Sequence, residues 1–226
     1  MSFDAATFTF NAAGDSPLLQ QAVARARAAC FDAPVHQLHT AAEQVALRKA
    51  AATAPRLHSL AIHVTDGAAD ALGVDTDESY TLAVQPPIAN LTAATPFGAL
   101  RGLETFSQLL TAVKLDLLSG QVLFLANETK IEDNPRFPHR GLLVDTARHW
   151  LPVSALLRVI NAMAWTKLNV LHWHLSDDPS FPFAPRSCPA LAEGALHPSM
   201  VYSAENVQQI VRCLDPLLPP PPNAGS

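Results

Sequence analysis

The polar and apolar positions of this chain alternate in two registers. Their clearest run lies between Pro138 and Pro182. The apolar run Leu142-Leu143-Val144 ends at Asp145 and passes into the polar stretch Thr146 to His149. A second apolar run, Leu168 to Leu175, ends at Ser176-Asp177-Asp178. Between them Val153, Leu156, Leu157, Ile160, Met163 and Ala164 recur at the three-and-four spacing of one helical face. The pattern therefore predicts strand, polar loop, helix, strand, polar loop. A right-handed crossover would set the two strands parallel and adjacent.

Upstream, Leu57, Leu60, Ile62 and Val64 mark an apolar strand. The runs Ser79–Val84 and Ile88–Ala93 read as a hairpin. Thr95-Pro96 is a usual cap and first-turn pair, and it opens a helix to Leu109 whose apolar face is predicted from Leu100, Leu103, Phe106, Gln108 and Leu110. Ser16-Pro17 opens another helix through Leu18, Ala22, Ala26 and Ala29, with a weakly apolar face. From Asp32 to Thr53 the Ala- and Gln-rich composition predicts a variable connection or insertion. Near the end, Ser203 caps a helix with Glu205 in its first turn and Val207, Ile210, Val211 and Leu214 on its predicted apolar face. Beyond Cys213 the four prolines Pro219 to Pro222 can neither continue a helix nor enter a central strand.

The polar residues after the two strands are the candidate chemistry. In a parallel arrangement Arg148 and Asp177 both lie past the carboxyl end of their strand, the face that carries function in an α/β barrel. Arg148 offers five donors in a rigid fork, and an ionised Asp177 offers only acceptors, so the two could clamp the paired hydroxyls of a sugar ring. The spacing is equally compatible with a structural ion pair between neighbouring strand ends. His172 and His174 stand at i, i+2 on a strand, as in metal-dependent barrels. The intervening Trp173 and the following Asp177-Asp178 favour a hydrogen-bonded strand end instead. His139 and His149 read as loop or core hydrogen-bonders, and no metal or cofactor is implied.

The segments His139-Arg140-Gly141, Asp145-Thr146, Arg148-His149, Trp173-His174-Leu175 and Asp177-Asp178, in this order, resemble the start of the catalytic barrel of glycoside hydrolase family 20, the β-N-acetylhexosaminidases. The run Gly98-Ala99-Leu100-Arg101-Gly102-Leu103-Glu104-Thr105-Phe106-Ser107-Gln108-Leu109 resembles a helix of the small domain that precedes that barrel. The resemblance covers roughly residues 55 to 212. It implies an α/β chain in three parts: an α+β domain over 1–135, the first units of an incomplete (β/α)8 TIM barrel over 136–213, and a proline-rich tail over 214–226 foreign to the family. It also implies that Arg148 and Asp177 bind hydroxyls of a terminal N-acetylglucosamine or N-acetylgalactosamine, with His174 and Asp178 as supporting residues.

Length changes this picture. A complete barrel takes roughly 250 residues, and the whole chain has 226. Family members retain configuration by substrate assistance. The 2-acetamido oxygen attacks the anomeric carbon, and an adjacent Asp-Glu pair orients the acetamido group and protonates the leaving oxygen. By resemblance that pair follows the fourth barrel strand, so no catalytic residue is expected in this chain. Asp177-Asp178 does not substitute for it, because it already matches the sugar-binding pair. Two function classes stay open: an enzyme of which this chain is a fragment, inactive alone, and a non-catalytic product that binds a partner.

Composition narrows the partners. A net charge of −5 and a pI near 5.9 argue against nucleic acid or an anionic membrane as partner. The opening residues lack the apolar core of a signal peptide, and no run of 18 apolar residues could span a membrane. The family nonetheless implies a lysosomal, vacuolar or secreted location. Asn90-Leu91-Thr92 and Asn127-Glu128-Thr129 are glycosylation sequons. Cys30, Cys188 and Cys213 show neither metal spacing nor a disulfide framework. Gly98 and Gly102 sit in a helical pattern and suit close packing. The oligomeric state is left open by the sequence.

Overall fold

The computed structural model describes residues 1–14, 16–31, 40–67, 72–114 and 122–214. Backbone packing divides the chain into two units, Met1–Pro138 and His139–Ser226.

The first unit is α+β. Strands β2 (Thr9–Ala12), β3 (Ser59–Val64), β4 (Tyr80–Val84), β5 (Ile88–Ala93) and β8 (Thr129–Asp133) form one sheet in the order β2-β3-β5-β4-β8. Strands β2, β3 and β5 run parallel, while β4 pairs antiparallel with both β5 and β8. The β4–β5 hairpin is the one predicted from alternation. A smaller antiparallel sheet joins β1 (Ser2–Asp4), β7 (Val122–Leu125) and β6 (Thr111–Lys114). Helices α1 (Pro17–Phe31) and α3 (Pro96–Gln108) pack on each other and against the large sheet.

Helix α3 begins as the sequence predicts: Thr95 Oγ1 accepts the Gly98 N–H, and Pro96 occupies the first turn, where no N–H is needed. Its buried face is Phe97, Gly98, Ala99, Gly102, Leu103 and Phe106. Gln108 is exposed and Leu110 lies past the helix end, so the predicted face is corrected at both positions. The glycines are there for space: a Cβ at Gly98 would meet the Ser79 carbonyl oxygen at 2.3 Å, and one at Gly102 would meet Leu91 at 2.2 Å. Tyr80 ties the layers together, its hydroxyl lying 2.6 Å from Thr105 Oγ1 and donating to Asp133 at 2.9 Å.

Two further expectations are corrected. Ala29 on α1 is exposed and Cys30 is buried in its place, because the helix buries Leu18, Leu19, Ala22, Ala26 and Cys30. Residues 41–53 are not a variable connection but helix α2 (Ala41–Thr53), which packs on β6 and β7. Thr40 and Glu43 form a reciprocal capping box, Thr40 N–H to Glu43 at 2.7 Å and Glu43 N–H to Thr40 at 3.3 Å. A helix whose only buried side chain among those described is Ala51 leaves almost no apolar stripe to read. Positions 32–39, the rest of that expectation, lie outside the described residues. The core also holds a phenylalanine cluster that alternation did not reveal. Phe3 and Phe8 have ring centres 4.5 Å apart, Phe8 and Phe106 lie 5.9 Å apart, and Phe31 and Phe124 lie 5.0 Å apart.

The second unit is built on the βαβ pattern. Strands β9 (Gly141–Asp145) and β10 (Val170–His174) pair in parallel from Gly141↔Val170 to Asp145↔His174, with α4 (Val153–Trp165) between them in sequence. Helix α4 buries Leu156, Leu157, Ile160 and Met163, as the spacing predicts. A short 3-10 helix (Pro189–Gly194) and α5 (Ala204–Leu214) follow. Ser203 and Asn206 cap α5 reciprocally, at 3.2 and 3.1 Å. Only Ile210 of α5 is fully buried, and Val207 and Cys213 pack beside it. Val211 and Leu214 are exposed, which corrects the predicted face by rotating it toward Cys213. The proline tail lies outside the described residues. Among those described, no helix is long and apolar enough to cross a membrane.

Candidate sugar-binding site

The polar turn after β9 is shaped by its own side chains. Asp145, the last residue of the strand, accepts the backbone N–H of Ala147 and of Arg148 on Oδ1, both at 3.1 Å. This local aspartate turn is what bends the chain off the strand. Oδ2 of the same carboxylate receives the Arg148 guanidinium, Nε at 2.6 Å and Nη2 at 2.5 Å. The backbone N–H of Arg148, its guanidinium and the nearby His174 all favour the charged carboxylate and hold the Asp145 pKa below its ordinary value, against some desolvation.

Asp177 is held from the other strand. Its backbone exchanges hydrogen bonds with Ser180, at 2.9 and 3.2 Å, which closes the turn after β10. Oδ1 accepts the Asp178 N–H at 2.8 Å. Oδ2 faces both Arg148 Nε at 3.5 Å and His174 Nε2 at 3.2 Å. The Asp178 N–H, His174 and the charge of Arg148 lower the Asp177 pKa. The structure therefore brings Arg148, Asp177 and His174 together. Asp178 contributes through its backbone N–H, while its side chain is exposed.

The Arg148–Asp177 ion pair is present, and it is the longer of the two that Arg148 makes. Arg148 makes its short ion pair with Asp145, and Asp177 stands a full ångström farther off. The Arg148 side chain is 58% exposed and that of Asp177 30%, so both remain open to solvent. An arginine with its charge already balanced, next to an ionised acceptor, suits neutral hydroxyls better than phosphate.

The turn is supported from beneath. Thr146 and Ala147 are fully buried, and Trp173 Nε1 donates to Thr146 Oγ1 at 2.7 Å. Tyr202, also fully buried, grips Leu151 at the far end of the turn: its hydroxyl donates to the Leu151 carbonyl and accepts the Leu151 N–H at 3.3 Å. Its ring stacks with Trp150 and meets Trp173 edge-on. The sequence reading named neither Asp145 nor Tyr202 as part of the site. An aspartate three residues before an arginine, at a strand end, was a legible turn signal; Tyr202 had none.

The remaining histidines lie elsewhere. His172 is exposed opposite Leu143, His149 is exposed on the turn, and His139 packs over Gly141. Among the described residues no group of three or more His, Cys, Asp or Glu side chains could hold a metal ion.

Two family models match. Residues 137–213 match the description "Glycosyl hydrolase family 20, catalytic domain", and residues 1–109 match "beta-acetyl hexosaminidase like". The chain belongs to glycoside hydrolase family 20. The family likeness thus reaches residue 1, farther upstream than the sequence motifs indicated. Mouse beta-hexosaminidase subunit beta is 44% identical over 160 residues, covering 70% of this chain and 29% of the relative. The human subunit beta is 47% identical over 139 residues, covering 61% of this chain and 24% of the relative. Among solved structures of the family, the Flavobacterium johnsoniae chitobiase superposes with a TM-score of 0.70 at 28% identity, covering 96% of this chain and 31% of that one. This family-20 chain therefore spans less than a third of the length of these relatives.

Proposed function

We propose that this segment forms one wall of the sugar subsite of a β-N-acetylhexosaminidase, in which Arg148 and Asp177 hold hydroxyls of a terminal N-acetylglucosamine or N-acetylgalactosamine. The observation that carries the reading is the balanced fork. Asp145 holds Arg148 beside Asp177 at the ends of adjacent parallel strands, where both side chains remain partly exposed. In this reading the β9–α4–β10 unit begins a (β/α)8 barrel over residues 136–213. Residues 1–135 are the domain that precedes it, and 214–226 are a tail outside the family pattern. Function then sits where barrel enzymes place it, at the carboxyl ends of the strands.

The role of these residues is to bind and orient. Arg148 donates to sugar hydroxyls, ionised Asp177 accepts from them, and His174 keeps Asp177 in place. The retaining, substrate-assisted step belongs to an Asp-Glu pair after the fourth strand, so this segment supplies subsite and not acid. The family also points to a lysosomal, vacuolar or secreted route, which makes the exposed loop residue Asn127 an acceptor for an N-linked glycan. A second reading, a non-catalytic product that associates through its sheet, draws support from Leu142 and Leu143 of β9, 38% and 55% exposed.

The test is hydrolysis of a 4-nitrophenyl N-acetyl-β-glucosaminide by the protein that carries this segment in a complete barrel. Arg148→Lys replaces a fork by a point charge and should lower kcat/KM by about 100-fold or more, with Asp177→Asn close behind. Undiminished turnover in Arg148→Lys removes it from the subsite.

A further inference from the structure

The large sheet of the first unit has one face under α1 and α3 and one face uncovered by any described element of that unit. Along the central strand β5 the alternation is strict: Leu91 is fully buried toward the helices, and Asn90 and Thr92 are exposed on the other side. Asn90-Leu91-Thr92 is a sequon, so the attachment atom and its hydroxyl partner stand on the same open surface. The register puts Ala61 of β3 and Ala83 of β4 on either side of Asn90. Two methyl groups leave the amide unobstructed.

The next cross-strand row is different. His63, Thr92, Thr81 and Glu132 lie side by side across β3, β5, β4 and β8. Here the surface dips into a hollow of about 440 Å³, lined among others by Thr65, Ser79, Thr81, Thr92, Glu132 and Asn134. It begins two residues from Asn90 on the same strand, about 7 Å away. Hydroxyls, an amide and two carboxylates, Glu132 and Asp133, line it, and no cationic side chain is among its described lining residues. Lys130, 2.6 Å from Glu132, holds that carboxyl below its ordinary pKa. Such a lining suits a neutral ligand with hydroxyl and acetamido groups, and its volume falls in the range of about 300 to 1,000 Å³ typical of small-molecule sites.

We propose that Asn90 carries an N-linked glycan whose first N-acetylglucosamine residues lie in this hollow and cover the open face of the sheet. In the transfer, the Asn90 Nδ2–C1 glycosidic bond forms and the sugar–phosphate bond of a lipid-pyrophosphate oligosaccharide donor breaks. The lipid pyrophosphate leaves, and Nδ2 gives up one proton. The remaining N–H can keep its contact with the Ile88 carbonyl, now 3.3 Å. Transfer precedes strand pairing, and the folded register then lays the glycan toward Thr81 and Glu132. The inference rests on the secretory route proposed above and is independent of the Arg148 subsite.

Peptide mass spectrometry of the native protein after N-glycanase treatment in ¹⁸O water reads both sequons at once. Isotope-labelled Asp at position 90 is the expected result. Label at 127 and not at 90 overturns the inference and leaves the secretory route standing, and label at neither position overturns both. Seating in the hollow is read from the release rate on the folded chain. Release from Asn90 should be about tenfold slower than from Asn127, the equivalent of one or two hydrogen bonds. The difference should vanish in a Thr81→Val, Glu132→Ala double variant. Equal rates in the unaltered chain overturn the seating.

Discussion

Replacing Tyr202 with Phe tests whether the turn that presents Arg148 is held from beneath. The ring would keep its stacking on Trp150 at 5.7 Å and its edge contact with Trp173 at 5.1 Å, so only the hydroxyl is lost. That hydroxyl serves both the N–H and the C=O of Leu151. A buried polar group left unpaired costs about 1–3 kcal/mol. Leu151 is half-buried, so water relieves part of the loss and about 2 kcal/mol remains for the pair. All three tryptophans, Trp150, Trp165 and Trp173, belong to the second unit, so fluorescence during urea denaturation follows that unit alone. With a slope of about 1–3 kcal/mol per molar, the midpoint should fall by about 1 M at unchanged slope. A midpoint within about 0.2 M of the unaltered chain refutes the reasoning, since it would mean that the Leu151 groups find equal partners without the phenol.

Three further outcomes are expected. Gly98→Ala should destabilise the first unit by about 1–3 kcal/mol despite the better helix propensity of alanine, because the obstacle is a backbone carbonyl that cannot rotate away; a raised melting temperature counts against it. The Cys30 thiol, pushed up to about 12 by burial and by nearby Glu104, should resist a thiol reagent at pH 8 while exposed Cys188 reacts, and equal labelling of the two in the folded chain contradicts this. Asp145 and Asp177 have folded pKa values below the ordinary 3.8, so the stability they contribute is fully present above that value and is lost as pH falls through the depressed folded values. Acid titration of Asp145→Asn, followed by tryptophan fluorescence, should show a flatter acid limb than the unaltered chain, and superimposable limbs refute the assignment.

The sequence by itself determined the elements whose burial repeats along the chain. The three-and-four spacing of Leu156, Ile160 and Met163 needs only its own neighbours to be read, and so does the alternation of β4 and β5. It also determined that Arg148 and Asp177 follow strand ends, because strand length and turn chemistry are local. Helix α2 escaped because alanine is tolerated on any face and leaves no stripe, although its capping box stood in plain sight at Thr40 and Glu43. The face of α5 could not be told from sequence, since Val207 and Ile210 are flanked by Val211 on one side and Cys213 on the other, and only the packed neighbours decide between them. The pairing of Arg148 with Asp145 is local, three positions apart, whereas the approach of Asp177 to Arg148 belongs to the tertiary structure. Asp145 and Asp177 are equally acidic in sequence, and their attraction to the guanidinium depends on separation, 2.5 Å for one and 3.5 Å for the other. Tyr202 reaches Leu151 across 51 positions of chain, a contact that no local pattern encodes and that exists only once β10 and α5 have packed.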